Sequence, residues 1–204
     1  MVGPEDSSDI LQDAVENEGE HARIDRFRRR AAVLVGILAA ALAITALGGD
    51  DTTKEIIDST IEASDTYAFY QAKNIRQTEN QLAADNLEAM ILVNNPPDAV
   101  KAQLQQRIDG YKATVARYES EPETGEGKKE LLVKAQEFVA QRDEAQRKDP
   151  NFDYAQALLQ ISIVLGSVAI VSVNKGFLGA SALAGVLGIV LMVNGYKLFF
   201  DLPI

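Results

Sequence analysis

The chain has 204 residues, with no cysteine, one histidine, and 20 lysines and arginines against 30 aspartates and glutamates. The excess of acid argues against a nucleic-acid-binding protein, because phosphate contacts need a concentrated basic surface. The absence of cysteine excludes a disulfide framework, an iron–sulfur cluster and a thiol nucleophile. The mean hydropathy of -0.07 would suit a soluble protein. This mean is the average of charged stretches and apolar stretches that alternate along the chain. The order of the stretches is therefore more informative than the mean hydropathy.

The first thirty residues form a polar tail in two parts. Residues 1–20 carry seven acids and no base, whereas residues 21–30 carry five arginines against one acid. A basic concentration next to an apolar stretch is typical of the cytoplasmic side of a membrane protein. We therefore expect residues 1–30 to be an acidic, then arginine-rich, cytoplasmic tail.

The first apolar stretch, residues 31–48, has no charge over 18 residues. As a helix it would span roughly 27 Å, which is close to the thickness of the hydrocarbon core of a bilayer. A cleavable signal peptide is the alternative, since small residues close the stretch. The length of the apolar run favours an uncleaved transmembrane helix.

Two further apolar stretches, residues 154–173 and 177–200, are separated only by residues 174–176 and followed by a short tail, 201–204. The turn contains Gly176, which can take a positive φ, so the sequence predicts an antiparallel hairpin of two transmembrane helices. Burial inside a large soluble protein is the alternative. It is disfavoured because the intervening domain is too short to cover three apolar helices.

The distribution of basic residues predicts the orientation. The arginines that precede the first helix should keep the amino terminus in the cytoplasm, while Asp50 and Asp51 follow that helix on the other side. Three crossings then place residues 49–153 outside the cytoplasm. The sequence thus predicts an all-α membrane protein with a helical, coiled-coil domain between its first and second transmembrane helices.

The central domain is expected to begin with a long helix. Thr52 and Glu55 fit a capping box, and neither proline nor glycine occurs from Thr52 to Asn95. Apolar residues recur there every seven positions, whereas the positions three further along are polar. The apolar row is Ile61, Ala68, Ile75, Leu82 and Ala89, and the polar row is Ser64, Gln71, Thr78 and Asp85.

This half-polar seam admits two interpretations. It is either an exposed helix that lies on a neighbour in the same chain, or the contact of a self-assembled bundle whose polar layers fix its register. Tyr67 and Tyr70 add aromatic bulk near the seam, as interfacial belts or packing residues do. We take the bundle as the leading hypothesis.

The sequence Asn95-Pro96-Pro97 should end the long helix, because proline disfavours the α conformation of the residue before it. The next helix carries one continuous apolar stripe that needs a partner. The stripe is Val100, Leu104, Ile108, Tyr111, Val115 and Tyr118. After a polar turn at residues 121–129, a third helix should follow. Asp149 and Pro150 are then expected to start the second transmembrane helix, as its cap and first turn.

Residues 63–77, Ala-Ser-Asp-Thr-Tyr-Ala-Phe-Tyr-Gln-Ala-Lys-Asn-Ile-Arg-Gln, resemble the signature of an uncharacterised bacterial membrane-protein family, the domain of unknown function 4337 family. The resemblance covers residues 20–198 and extends to the order of a polar start, one apolar helix, a helical domain and a closing hairpin. A tryptophan commonly stands in the family where this chain has Tyr67, and the hairpin turn is usually more basic. The resemblance implies a fold, and it implies no activity and no catalytic residue.

Candidate interaction residues fall into three groups. Asp65, Lys73 and Arg76 lie near one helical face, which is either an exposed salt-bridge face or a ligand site, and Tyr67, Tyr70 and Gln71 accompany them. Gln156 and Gln160 share a face of the second transmembrane helix, and Gln160 is the better candidate for an interhelical hydrogen bond. A small-residue row on the third helix should allow close helix approach. Its members are Gly176, Ala180, Ala184 and Gly188, with Ser181 and Gly185 alongside.

The sequence suggests two functions and no enzyme. No serine has a histidine partner, and no phosphate-binding glycine motif occurs, so we expect no catalytic residues, no cofactor and no metal. The first hypothesis is a structural or scaffolding protein that assembles with itself in the lipid bilayer. The alternative is an accessory subunit that docks on a larger membrane complex, for example a bioenergetic one. Nucleic acid is not an expected partner.

Overall fold

The computed structural model describes residues 4–202, with side chains described from residue 18 onward. All regular secondary structure in this part of the chain is α-helical, which confirms the all-α class. The helices are α1 (Pro4–Asn94), α2 (Asp98–Glu119), α3 (Lys128–Ser172) and α4 (Lys175–Lys197). Three of them, α1, α3 and α4, contain a stretch long and apolar enough to cross a membrane. Their length and composition suggest a membrane protein.

The chain divides into two compact units. Unit 1 combines the residues up to Thr53 with those from Gln146 onward, and unit 2 consists of Lys54–Ala145. In unit 1, α4 and the apolar parts of α1 and α3 pack around a small core of Leu38, Ala41 and Leu159. Unit 2 contains the second half of α1, the whole of α2 and the first part of α3.

The predicted helix start at Thr52 is wrong, because α1 continues through this residue without a break. The Thr52 hydroxyl does not cap a first turn but donates to the Gly48 carbonyl, 2.8 Å away and four residues earlier. A threonine inside a helix often satisfies its hydroxyl in this way. The apolar stretch and the heptad pattern that follows it therefore belong to one helix.

The predicted helix start at Asp149-Pro150 is also wrong, since Pro150 lies inside α3. A proline within a helix removes one backbone hydrogen bond and costs about 3 kcal/mol. Asn151 and Phe152, which come directly after it, are both buried in unit 1, and the Asn151 side chain donates to the Arg147 carbonyl at 3.1 Å. Burial of these side chains offsets the low helix propensity of proline.

In unit 2, α1 ends at Asn94, directly before the predicted break at Asn95-Pro96-Pro97. Helix α2 then returns along α1. The Lys112 ammonium lies 2.6 Å from the Glu88 carboxylate, and the Gln77 amide donates to the Val115 carbonyl at 3.1 Å. The apolar stripe of α2 thus has a partner within the chain, with Ile108 fully buried. The exception is Val100 at the start of the stripe, which is 45% exposed.

Helices α3 and α4 are joined by Val173 and Asn174. The residue with a positive φ is Val173, at 51°, whereas Gly176 lies inside α4, so the glycine expected to make the turn does not make it. The Asn174 side chain caps α4 by accepting from the Gly176 amide at 2.7 Å. Helix α4 ends at Lys197, before the end of the predicted third span at residue 200.

Candidate interaction surfaces

Two serines hold α3 and α4 together in the middle of unit 1. The Ser181 hydroxyl donates to the Ser162 carbonyl at 2.7 Å, and the Ser162 hydroxyl donates in return to the Ser181 carbonyl. Both side chains are fully buried. Hydrogen bonds of this kind are a common means of joining helices in an apolar medium, where an unpaired hydroxyl is costly.

A glycine lies four residues after each serine, and each glycine permits the close approach. A Cβ atom added at Gly166 would lie 2.6 Å from the Val35 side chain and 3.0 Å from the Ser181 hydroxyl. One added at Gly185 would lie 2.9 Å from the Ser162 hydroxyl and would also collide with Leu38. The two Ser-x-x-x-Gly pairs therefore bring all three apolar helices into contact.

The small-residue row predicted on α4 is partly displaced from the face that packs. Ala180 is exposed and Ala184 is half-buried, whereas Gly188 is buried and a Cβ there would lie 2.9 Å from Leu159. The buried face of α4 consists of Ser181, Gly185, Gly188, Asn194 and Gly195. Ser181 and Gly185, which the sequence placed alongside the predicted row, belong to this buried face, as does Gly188 from the row itself.

The two glutamines of α3 do not join helices within the chain. Gln156 is half-buried and Gln160 is exposed, while Ser162 makes the interhelical bond in their place. An exposed amide in a membrane-length apolar stretch is costly if it faces hydrocarbon. Gln160 therefore stays a candidate for contact with a separate molecule.

A second polar contact lies near the carboxyl end of α4, and the sequence did not predict it. The Asn194 side-chain nitrogen donates to the side-chain oxygen (Oδ1) of Asn151 at 2.6 Å and to the Phe200 backbone carbonyl at 2.9 Å. Its oxygen accepts from the Phe200 amide at 3.1 Å. Beside this contact, the buried Phe152 ring meets Tyr196 edge-on, with 5.0 Å between ring centroids. The feature of the sequence that indicates this contact is Asn194, a polar residue near the end of an apolar stretch.

In unit 2, Lys73 is the buried centre of a charged cluster, with only 5% of the residue exposed. Its ammonium lies 3.5 Å from the Glu126 carboxylate and 3.7 Å from that of Glu121. It also lies over the Phe69 and Tyr118 rings, at 5.1 and 5.7 Å from their centroids. This lysine connects α1 and α2 to the loop between α2 and α3.

A second polar group continues the cluster by one turn of α1. The Gln77 amide donates to the Glu119 carboxylate at 3.1 Å, and its oxygen accepts from Lys128 at 2.7 Å. The hydrogen bond from Gln77, supported by the charges of Lys128 and Lys129, lowers the pKa of Glu119 against the opposing effect of desolvation. The Lys128 ammonium also lies 5.6 Å from the centroid of the Tyr70 ring.

The predicted charged face of α1 is not one continuous face. Lys73 points inward, whereas Asp65 and Arg76 are exposed, as is Gln71, and Tyr67 is half-buried. Within residues 18–202, no group of three or more histidine, aspartate or glutamate side chains is placed to hold a metal ion. The cluster around Lys73 holds the loop between α2 and α3 against α1. A role of these residues in binding another molecule stays a prediction.

The heptad seam of α1 lies on the opposite side from this cluster and is exposed along its length. Every residue of its apolar row and of its polar row is exposed, and so are Ile57 and Leu92, which lie seven residues before and seven residues after the polar row. The exposed fractions of Ile61, Ile75 and Leu82 are 53%, 59% and 56%. The inward face follows its own heptad spacing. That row is Ser59, Ala63, Thr66, Tyr70, Lys73, Gln77, Asn80, Ala84, Leu87 and Ile91.

The model of one protein family, described as domain of unknown function (DUF4337), matches residues 27–198 of the chain. Because the match covers most of its length, the chain belongs to that family. The resemblance noted around residues 63–77 is thereby confirmed. No curated protein and no solved structure matches the chain significantly. The family assignment brings no activity, so the function has to be argued from the surfaces described above.

Proposed function

We propose that this member of the family is a structural or scaffolding protein of a bacterial inner membrane, which assembles with itself through the exposed heptad seam of α1. The single observation that carries the proposal is the exposure of that seam over its whole length, from Ile61 to Ala89. Its apolar row has coiled-coil spacing, includes three large side chains, and lies on a helix whose other face already packs within the chain.

The seam needs a protein partner because it lies in a charged part of the chain. Residues 54–145, which form unit 2, carry 17 acids and 11 bases, so their surface suits water and not lipid. Single exposed apolar side chains are ordinary, but a contiguous row marks an interaction site. Lipid cannot be the cover there, and a helix with the same spacing can.

A second copy of the chain is the occupant that fits best. Copies inserted in one membrane have the same orientation, so their α1 helices run parallel and each layer of the seam meets its own counterpart. Ser64, Gln71 and Thr78 each carry both a donor and an acceptor, so these polar layers can pair with themselves. Polar layers of this kind fix register in parallel coiled coils.

Assembly can be measured on the full chain in an uncharged detergent by light scattering or native mass spectrometry. We expect several copies per particle. The double variant I75E/L82E places charges in two apolar layers and should give single chains. The control is Met90→Glu, which adds a single charge at an exposed position one residue away from the apolar row. A wild-type particle of one chain, or unchanged assembly in the double variant, would contradict the proposal.

The proposed topology has a cytoplasmic amino terminus and an extracytoplasmic unit 2. The five arginines of residues 21–30 support it. A reporter inserted at Gly125 can test it, because this residue is exposed in the loop between α2 and α3 and has a φ of 69°. Reporter activity on the extracytoplasmic side is expected, and cytoplasmic activity would overturn the orientation.

The alternative is an accessory subunit of a larger membrane complex, and one residue of the seam favours it. Asp85 lies in the polar row, so a parallel self-assembly would bring like charges together. Purification from native membrane separates the two functions. Particles that contain only this chain support the scaffold, whereas a stoichiometric foreign protein supports the accessory subunit.

A further inference from the structure

A cavity of about 700 Å³ lies in unit 1 between the arginine-rich part of α1 and the beginning of α4. Its volume is within the range of small-molecule binding sites. Four bases and a single acid line it, together with apolar side chains. The bases are Arg23, Arg26, Arg30 and Lys175, and the acid is Glu20.

The four bases are available to an outside anion. Arg23, Arg26, Arg30 and Lys175 are all exposed, and none of them forms an ion pair with another described residue. The Arg26 Nε donates to the Ala22 carbonyl at 3.0 Å, which holds the side chain and leaves its terminal nitrogens free. Several cations without an acidic partner among residues 18–202 repel each other around one cavity, so an anion between them is stabilising.

The ligand that fits this lining carries both a negative charge and an apolar part. Phe27 from α1 and Leu178 from α4 are half-buried and form the apolar part of the wall. The first turn of α4 adds the positive end of its helix dipole, which favours a phosphate. Phosphate ions in solution would use the bases but not the apolar wall.

The place of the cavity along the chain agrees with a lipid. Its last arginine, Arg30, directly precedes the uncharged stretch of residues 31–48, and Lys175 opens the apolar helix α4. The cavity is therefore at the boundary between the polar and the apolar part of two helices. Headgroups of anionic lipids bind in basic pockets at such boundaries.

We propose that this cavity binds the phosphate headgroup of an anionic phospholipid. Arg26, Arg30 and Lys175 hold the phosphate, and the acyl chain lies along Phe27 and Leu178. The arginines then have a second role besides orientation. The proposal is independent of whether the chain assembles with itself.

The arginine segment supplies a matched control. Arg28 and Arg29 are exposed bases of the same helix, but they do not line the cavity. R26Q/R30Q and R28Q/R29Q remove the same number of charges from the same few residues. A nonspecific attraction to anionic lipid, or an effect on topology, would be equal in both, whereas a built site would be sensitive only to the first.

The experiment uses the full chain in an uncharged detergent, titrated with dioleoyl phosphatidylglycerol and followed by native mass spectrometry. One bound lipid per chain is expected, with dioleoyl phosphatidylcholine binding at least tenfold more weakly. A base near an anionic group contributes a factor of about five in affinity, so R26Q/R30Q should bind about 25-fold more weakly. Lys175→Gln should bind about fivefold more weakly, and R28Q/R29Q should remain within twofold of the wild type.

Two results would overturn the proposal. The first is equal weakening in R26Q/R30Q and R28Q/R29Q, which would show a diffuse charge effect. The second is displacement of the lipid by millimolar inorganic phosphate, which would assign the cavity to a free anion. Circular dichroism confirms that each variant keeps its helices, and Lys175→Gln tests the same cavity from α4 if the arginine variant does not fold.

Discussion

The two units differ in the kind of helix that carries their exposed apolar side chains. In unit 1, Val164, Val171 and Leu183 are exposed on helices of membrane-spanning length, and the polar groups between those helices pair with one another. In unit 2, Ile61 and Ile75 are also exposed, at 53% and 59%, but they belong to a highly charged pair of helices. Under the proposed function, the exposed apolar side chains face lipid in unit 1 and a second protein chain in unit 2.

The interiors differ in the same way. Unit 1 closes through small residues that let its helices approach closely, so its packing tolerates no added volume at Gly166 and Gly185. Unit 2 closes through long charged side chains around Lys73, which can adjust more easily. Substitutions in the first should act on the whole fold, and substitutions in the second should act on one loop.

The largest effect is expected for Gly185→Leu. The new side chain would collide with Leu38 and with the Ser162 hydroxyl, and overpacking of this size destabilises by about 3 kcal/mol or more. Thermal unfolding in detergent should show a large loss of stability. Gly179→Leu is the control, because nothing lies within 4 Å of a Cβ at Gly179 on the same helix. Similar behaviour of the two variants would refute the close crossing.

A smaller effect is expected for Lys73→Ala in unit 2. The substitution leaves Glu121 and Glu126 without their cation and opens space beside Phe69, which should destabilise by about 1 to 2 kcal/mol. Cleavage of the loop at residues 120–127 by a glutamate-specific protease should become faster. The exposed Arg76→Ala is the control and should cleave at the wild-type rate. Equal rates in all three proteins would contradict the role of Lys73.

The serine pair offers a smaller and sharper test of unit 1. Each interhelical hydrogen bond of this type contributes about 0.6 kcal/mol on average. Ser162→Ala and Ser181→Ala should each lower stability modestly, and the double variant should lose less than the sum, because the two hydroxyls bond to each other's helix. Strict additivity in this double-mutant cycle would show that the two bonds are independent.

The smallest effect concerns pH and the loop of unit 2. The Ser120 hydroxyl donates to the Glu130 carboxylate at 2.6 Å and, with the Glu121 amide, lowers the pKa of Glu130 below its ordinary value of 4.5. The stabilisation is fully present above pH 4.5 and is lost as the pH falls through the lowered value in the folded state. Proteolysis of the loop by an acid protease should therefore increase below pH 4.5. Glu130→Gln should remove this dependence.

The sequence predicted the apolar stretches and the break at Asn95-Pro96-Pro97 well, because both depend on local composition. It failed at Thr52 and Pro150, where local signals for a helix start were overruled. A hydroxyl can bond inside a helix as well as cap one, and burial of Phe152 can outweigh a proline. Such outcomes depend on tertiary packing, which a local pattern does not contain.

The candidate residues also differ in whether local sequence or tertiary packing determines their position. The heptad seam was visible in the sequence because its period is regular, and the structure leaves it exposed. The inward position of Lys73 was not visible, because its partners Glu121 and Glu126 lie about fifty residues further along the chain. Asn151 and Asn194 meet across a similar separation. Contacts between distant residues require the fold to be known first.

The turn at Val173 bears on the engineering of this protein. A β-branched residue with a φ of 51° is strained by about 1 to 2 kcal/mol, and glycine would relieve that strain. Val173→Gly should therefore raise the thermal stability of the protein. Val173 also lines the basic cavity, so the substitution that raises stability also makes the wall of the cavity more flexible. The most attractive stabilising substitution is also the one whose lipid affinity has to be measured first.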